Sequence, residues 1–226
     1  KYQIKLNNNP GEHSPNLKRE IMEKIDLKKE LKGLYSPAKK IKFVEVPAMK
    51  YIKIDGKGSP NEENGDFSNA MSALYPLVYT MKFMLKDNGK DFVVMPLEGL
   101  WYADDYEVYQ TMETDKWKWT VMIAVPNFVE TTHFEQAREK ATDKIPADMK
   151  NKLQFAQLNE GSCFQITHIG PYSEEAETVK TLHKHIEMEG YEFAGLHHEI
   201  YLSDPRKTAP ENLKTLIRQP VKKTVS

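Results

Sequence analysis

The spacing of apolar residues along the chain changes period several times, and each change marks an element. Residues 41–46 (IKFVEV) and 50–56 (KYIKIDG) are short β-type runs, which predicts two strands. Residues 66–89 place their apolar side chains at helical spacing and end in an Asn-Gly stop signal, which predicts a long helix. Residues 90–112 and 115–126 predict further strands.

The second half of the chain shows the same order of elements. Residues 161–170 (GSCFQITHIG) predict a strand, and residues 171–190 predict a helix with Ser173 as its N-cap. Residues 196–205 (LHHEIYLSDP) and 213–221 (LKTLIRQPV) predict two more strands. The apolar stripe expected along this second helix consists of Ala176, Val179, Leu182 and Ile186.

A gapless alignment relates the two halves at an offset of 100 residues. It places Gly99 on Glu199, Trp101 on Tyr201 and Asp104 on Asp204. A strand–helix–strand–strand unit that occurs twice with weak identity predicts a duplicated module and a pseudo-twofold axis. We expect an α+β fold of two such modules with antiparallel sheets. Packed sheet to sheet, the modules would enclose a central ligand cleft, across which residues 97–104 and 197–204 would face each other.

The predicted domain comprises residues 41–221, with repeats at about 41–128 and 151–221. Residues 130–150 predict a polar linker helix on the surface. Residues 1–40 are polar and contain several breakers, so we expect an N-terminal extension, partly helical, that lies outside the core.

Composition narrows the classes of function. With 32 basic against 33 acidic residues and a net charge of −1, the chain has no global field for nucleic acid or anionic membranes. No apolar run approaches the roughly 18 residues that span a bilayer, and a cytoplasmic location is predicted. The single cysteine, Cys163, excludes an intrachain disulfide and a multi-cysteine metal site. The oligomeric state stays open.

Four segments together resemble the GyrI-like small-molecule-binding family over about residues 40–221. They are MPLEGLWYADD (95–105), CFQITHIGPYSEE (163–175), HHEIYLSDP (197–205) and TLIRQPV (215–221). The resemblance implies the α+β fold above and a central ligand cleft. Some relatives sense drugs as domains of transcription activators, and one protects gyrase. A subfamily similar to this chain hydrolyses the cyclopropane ring of cyclopropanoid DNA-alkylating compounds within an aromatic cage.

The resemblance and the aromatic content predict a cleft for planar aromatic or cationic molecules. Burial, ring stacking and cation–π contact would each contribute to binding. A carboxylate among these rings would be poorly solvated, which suits a general acid or base. The predicted ligand-binding residues are Trp101, Tyr102, Trp117, Trp119, Tyr201, His168 and His197.

Strand alternation ranks the two candidate catalytic carboxylates. Glu199 shares a face with Tyr201, whereas Glu98 and Tyr102 would share the other face unless a bulge at Gly99 re-aims one of them. Glu199 is therefore ranked first and Glu98 second.

Alternative interpretations stay open for several of these residues. Trp101 and Trp119 are also compatible with the core, Glu199 with a solvent-exposed edge, and Asp104 and Asp204 with turn caps.

No cofactor or metal is predicted. His197 and His198 are adjacent in a strand and point to opposite faces, so they do not share a metal simply. The first function predicted is cofactor-free hydrolysis of cyclopropanoid alkylators. The alternatives are sequestration of planar or cationic drugs without turnover and, more weakly, gyrase protection. Direct nucleic-acid binding is not expected, because residues 1–40 are too short and polar for a helix-turn-helix pair.

Overall fold

The structure, a computed structural model, describes residues 24–63, 65–103 and 114–224, and it is an α+β fold as predicted. Within these residues the strands are β1 Lys24–Ile25, β2 Lys42–Val46, β3 Met49–Lys57, β4 Asp91–Phe92, β5 Leu97–Tyr102, β6 Lys118–Val125, β7 Gln154–Leu158, β8 Gly161–Ile169, β9 Tyr191–Phe193, β10 His197–Tyr201 and β11 Lys214–Lys223. The helices are α1 Leu27–Glu30, α2 Lys32–Tyr35, α3 Asp66–Asp87, α4 Thr131–Lys140 and α5 Glu175–Met188.

One antiparallel sheet in the order β2-β8-β11-β10-β5-β6-β3-β7 dominates the fold, and β9 pairs with β11 beside it. The two ends of this order are joined, because β2 runs into β3 and β7 runs into β8. The pairs Val46↔Gly161 and Met49↔Leu158 lie in one continuous register, so these four strands form a single bent ribbon. The sheet therefore curls back on itself and has an inner and an outer face.

The pseudo-twofold axis passes between β5 and β10, which are hydrogen-bonded neighbours at the centre of the sheet. Gly99 pairs with Glu199, Glu98 with Ile200, and His198 with Leu100. The expectation that residues 97–104 and 197–204 face each other across a groove between two packed sheets is therefore wrong. Each module alone would leave one strand edge unpaired, and joining the two edges satisfies the backbone groups of both.

Both long helices pack on the outer face. Helix α3 contacts β3 and β6, and it contributes Leu74, Leu77 and Met81 to the main core. Helix α5 contacts β8 and packs Leu182 and Ile186 in a second, smaller cluster. The two helices thus flank the β5–β10 pair from opposite sides.

Residues 27–38 cover the inner face, where Leu34, Tyr35 and Ala38 are buried. The expectation that the extension lies outside the core is therefore wrong for this stretch. Two hydrogen bonds from the sheet hold this stretch in place. Arg218 donates to the Leu34 carbonyl oxygen, and Gln165 donates to the Gly33 carbonyl oxygen. Without the extension, these buried donors would lack partners.

Helix α4 forms only the first half of the linker helix expected over residues 130–150. It ends at Lys140, and a short 3₁₀ turn at Thr142–Lys144 follows. Pro146 lies directly beyond that turn and cannot continue a helix. The helix packs against α3, as expected of a surface bridge.

Candidate functional site

Alternation along β5 and β10 divides the candidate residues between the two faces. Both ladders of β5 run without a bulge, from Leu97↔Ile123 to Tyr102↔Lys118 on one side and across the β10 pairing on the other. Gly99, Trp101, His197, Glu199 and Tyr201 consequently lie on the outer face. Glu98, Tyr102 and His198 lie on the inner face.

A chain of hydrogen bonds orients Glu199 on the outer face. The Trp101 Nε1–H donates to the Tyr201 hydroxyl oxygen at 3.0 Å, and the Tyr201 hydroxyl donates to Glu199 Oε2 at 2.8 Å. His197 Nε2 lies 3.2 Å from Glu199 Oε1. Only 15% of the Glu199 side chain is exposed, which is not the environment of a solvent-exposed edge charge. Burial, followed by the charge of Glu199, raises the pKa of Tyr201 well above its usual value.

Aromatic rings surround this chain. The Trp101 ring is 8% exposed, stacks on Phe67 at 5.7 Å between centroids and meets Trp117 edge-on at 5.8 Å. Tyr172 packs edge-on against Tyr201 at 5.8 Å and is 42% exposed. The half-buried Trp117 and the exposed Tyr172 therefore form the outer parts of the walls. These residues form the candidate ligand-binding surface of the outer face, and we call the surface bordered by Trp101, Trp117, Tyr172, Tyr201 and Glu199 the outer cleft; Trp101 also belongs to the main core.

Gly99 forms the floor of the outer cleft, directly opposite Glu199. A Cβ atom placed there would lie 3.0 Å from Trp101 Nε1 and 3.1 Å from the Tyr201 hydroxyl oxygen. Both distances are shorter than ordinary van der Waals contact, so only glycine leaves the Trp101–Tyr201 hydrogen bond undisturbed.

Trp119 belongs to the core. It is 1% exposed, its Nε1–H donates to the Gly58 carbonyl oxygen at 3.2 Å, and it meets Phe67 edge-on. A Cβ atom on Gly56 would fall on the Trp119 ring, so the indole lies flat on the β3 backbone. Of the two interpretations of this residue, the core interpretation fits its position.

Glu175, the first residue of α5, is a carboxyl group of the outer face that the sequence analysis missed. It is 7% exposed, and its Oε1 is buried without a hydrogen-bond partner. Burial, reinforced by the charge of Glu199, raises the pKa of Glu175 from 4.5 to about 8, against a smaller opposing effect of the Thr215 hydroxyl.

The predicted start of α5 was wrong by one residue, because the N-cap is Glu174 and not Ser173. Ser173 lies in a 3₁₀ turn, Tyr172–Glu174, and caps nothing. Ala176 is exposed and Glu175 takes its expected place on the buried side of the helix. Helical spacing could have found Glu175, because it lies four and seven residues before two members of the apolar stripe, Val179 and Leu182.

The inner face holds Glu98 in a fully buried network. Its oxygens accept hydrogen bonds from the hydroxyls of Tyr35 at 2.9 Å and Tyr51 at 3.3 Å. His198 Nε2 lies 3.0 Å from Glu98 Oε2; the approach is off the direction of a hydrogen bond, so we treat this contact as an ion pair. On its other side, His198 Nδ1 lies 2.9 Å from Glu160 Oε1.

Arg218 completes this inner network. Its guanidinium donates to Glu160 Oε2 at 3.1 Å and to Gln165 Oε1 at 3.1 Å. Burial alone would lower the pKa of His198, but Glu160 and Glu98 raise it to about 9. Burial alone would raise the pKa of Glu160, but His198 and Arg218 lower it to about 2. Two anions thus face two cations, and Glu98 is turned away from the outer cleft.

His168 and Tyr102 are two further residues predicted to bind the ligand. His168 is buried, with Nδ1 at 2.9 Å from Thr178 Oγ1 and Nε2 at 3.2 Å from the Pro171 carbonyl oxygen, so it fixes the turn before α5. Tyr102 is half-buried at the end of β5 on the inner face.

The two aspartates and the metal interpretation can be placed as well. Asp204 accepts from the backbone N–H and the guanidinium of Arg206, as a turn cap does, and Asp104 lies outside the described residues. Across the part of the chain that the structure describes, no three His, Cys, Asp or Glu side chains are grouped to hold a metal ion.

Comparison with known proteins assigns the chain to a family. Residues 39–222 match the model of the GyrI-like small molecule binding domain, so the chain belongs to the GyrI-like family. A crystal structure of an uncharacterized conserved protein from Listeria innocua is 39% identical, with a TM-score of 0.81 over 88% of this chain and 100% of that one. A crystal structure described as a hydrolase from Listeria innocua is also 39% identical, with the same coverage and a TM-score of 0.77.

More distant structures share the fold alone. The C-terminal domain of EcmrR is 16% identical, with a TM-score of 0.53 over 82% of this chain and 98% of that one. EcmrR has also been solved bound to DNA, so the fold occurs in DNA-associated proteins, and the absence of nucleic-acid binding here stays a prediction. Comparison with proteins of curated function gives no match. None of the described helices is both long and apolar enough to cross a bilayer.

Proposed function

We propose that the protein binds flat aromatic small molecules in the outer cleft and hydrolyses cyclopropanoid DNA-alkylating compounds there. The observation that carries this proposal is the position of Glu199, a largely buried carboxylate oriented at both oxygens beside the rings of Trp101 and Tyr201. The 39% identity to a protein solved as a hydrolase supports a hydrolytic role.

In the proposed reaction Glu199 activates a water molecule. Tyr201 and His197 each engage one oxygen of the carboxylate, and each oxygen keeps a second lone pair that can accept from water. The water oxygen bonds to the CH₂ carbon of the cyclopropane as the C–C bond breaks. The electron pair of that bond moves into the conjugated dienone and reaches its carbonyl oxygen, and the water proton goes to Glu199. The ligand oxygen then takes up a proton and Glu199 releases one, so the net change is addition of one water molecule.

The aromatic rings would hold the planar ligand for this attack. Ring burial and stacking contribute roughly 0.5–1.5 kcal/mol per contact beyond the buried area. Holding a reactant in one orientation lowers the barrier of the step that follows. Trp101 fits this role because Phe67 and Tyr201 already fix its ring.

Mass spectrometry of a cyclopropanoid alkylator incubated with a trace of protein tests the proposal. We expect a water adduct in large molar excess over protein. Protection that saturates at one ligand per chain would instead support sequestration without turnover, and unchanged free drug would contradict hydrolysis.

Matched variants separate the two carboxylates. Glu199→Gln keeps shape and removes the base, so turnover should fall roughly 100-fold or more while affinity for neutral ligands changes little. Glu98→Gln is the control on the inner face, and its turnover per folded molecule should stay near that of the wild type. A larger loss for Glu98→Gln than for Glu199→Gln would reverse the assignment.

A further inference from the structure

Glu175 is a buried carboxyl group of the outer face with one oxygen that the fold leaves without a partner. Its Oε1 lacks a partner although the side chain is 7% exposed. Glu98, equally buried on the inner face, has two tyrosine hydroxyls and His198 around it. An unpaired buried polar atom is unfavourable, so a position of this kind in a native protein calls for an explanation.

The groups that act on Glu175 belong to the outer face. Tyr172 precedes it in the 3₁₀ turn, and Glu199 and Tyr201 act on it from β10. Thr215, on β11 next to Tyr201, also has a buried hydroxyl oxygen without a partner. Glu175 and Thr215 therefore lie together beside Glu199, where the Thr215 hydroxyl acts on the Glu175 carboxyl group while Glu175 Oε1 is left without a partner.

The other ionisable group near Glu175 and Thr215 is His168, and both of its ring nitrogens already have partners. His168 lies on β8 opposite Thr215, and Thr178 and the Pro171 carbonyl engage its two ring nitrogens. The negative charge of Glu199 acts on Glu175. Together with burial, it favours the neutral form of the Glu175 carboxyl group. A neutral carboxyl group has an O–H to donate, and the Thr215 hydroxyl is the protein group beside it.

We propose that Glu175 is the proton donor of the outer cleft, and that its neutral carboxyl group and the Thr215 hydroxyl form a polar subsite for a carbonyl oxygen of the ligand. This role rests on the proposed hydrolysis. As the cyclopropane C–C bond breaks and charge reaches the carbonyl oxygen, the Glu175 O–H bond breaks and the phenol O–H bond forms. Glu175 is left as a carboxylate, Glu199 holds the proton taken from water, and transfer of that proton to Glu175 restores both groups.

The division of roles follows from the two environments. Glu199 has a partner at each carboxylate oxygen, the Tyr201 hydroxyl at one and His197 Nε2 at the other. Glu175 has burial and a like charge, which stabilise its neutral form. In the proposed reaction Glu199 is the base and Glu175 the acid, the pair of roles that acid–base catalysis near neutral pH requires.

Infrared spectroscopy tests the protonation state without any turnover. At pH 6.5 the wild type should show a C=O band of a neutral carboxylic acid that titrates away near pH 8. Glu175→Gln should lack this band, and Glu174→Gln, which changes the exposed neighbouring residue, should keep it. A wild type without the band, or a Glu175→Gln variant that retains it, would overturn the proposal. Glutamine matches the neutral acid in shape, so the variant should fold.

Steady-state kinetics test the donor role. Glu175→Gln should lower kcat roughly 100-fold with a smaller change in KM, and the fall of wild-type kcat above about pH 8 should disappear. Glu174→Gln should behave as the wild type. Full activity of Glu175→Gln with an unchanged pH profile would overturn the role. If the wild type hydrolyses nothing, the proposed function fails, and the carboxylic acid band still decides the state of Glu175.

Discussion

Replacing Gly99 by alanine should disturb the outer cleft. The new Cβ would lie 3.0 Å from Trp101 Nε1 and 3.1 Å from the Tyr201 hydroxyl oxygen. These two atoms are themselves joined by a 3.0 Å hydrogen bond, so the methyl group enters between partners that cannot both stay in place.

The size of the effect follows from these contacts. Inserting a methyl group into packed surroundings costs about 1–3 kcal/mol. Losing a hydrogen bond of this kind costs about 0.5–1.5 kcal/mol. Because moving Tyr201 relieves the clash and breaks the bond together, we expect Gly99→Ala to lower the free energy of unfolding by about 1–3 kcal/mol. It should weaken binding of flat ligands about tenfold, since roughly 1.4 kcal/mol corresponds to a factor of ten.

The matched control is Gly33→Ala in helix α2. A Cβ atom at Gly33 would meet nothing within 4 Å. Alanine there should leave ligand binding unchanged and alter stability by at most about 1 kcal/mol, in the stabilising direction.

Urea denaturation, ligand titration and ¹H–¹⁵N NMR of the indole groups measure these effects. The protein has three tryptophans, so each indole N–H can be assigned by substitution. In Gly99→Ala the Trp101 indole signal should shift as its hydrogen bond is lost. An unmoved Trp101 signal with wild-type affinity would refute the assignment of Gly99 as the floor of the cleft.

Three further predictions concern the two faces. Trp101→Ala should weaken binding of flat ligands by about 1–3 kcal/mol through lost ring burial, measured by calorimetry; unchanged affinity would exclude Trp101 from the wall. Tyr35→Phe should lower stability in urea by about 1–3 kcal/mol, because the buried Glu98 carboxylate loses a hydrogen-bond donor, and no loss would place the extension outside the network. His198 has its pKa raised from 6.5 to about 9, so the stability it contributes is complete below pH 6.5 and lost as pH rises to about 9. Urea midpoints between pH 6.5 and 9 should fall in the wild type and stay flatter in His198→Gln, and parallel curves would contradict this.

Positions related by the offset of 100 residues are complementary partners across the pseudo-twofold axis. Glu98 and His198 are equivalent by the offset of 100 residues, and they form an ion pair at 3.0 Å on the inner face. Trp101 and Tyr201 are also equivalent, and they share a hydrogen bond at 3.0 Å on the outer face. If the two halves were identical, two like charges would face each other where Glu98 and His198 now form an ion pair. The difference between the two halves therefore stabilises the β5–β10 junction.

Local periodicity predicted the elements and the division of faces well. The period of two along β5 and β10 placed Glu199 with Tyr201 and Glu98 with Tyr102, and the repeat offset matched Gly99 to Glu199, which are direct partners. These features depend only on neighbouring residues and on the comparison of the two halves.

The rest depended on contacts between distant segments. The edge-to-edge junction of the modules and the insertion of Tyr35 beside Glu98 join residues 63 positions apart or more, which periodicity does not report. Glu175 was missed for another reason. A glutamate in the first turn of a helix is ordinarily explained by the helix dipole, and only its place on the apolar stripe pointed to burial.

A crystal structure with a planar aromatic ligand tests the central claim most directly, because the two faces carry different carboxyl groups. We expect ligand density in the outer cleft, against Trp101 and Glu199, with the Tyr35 hydroxyl still bonded to Glu98. Density on the inner face, against Glu98 with Tyr35 displaced, would contradict it.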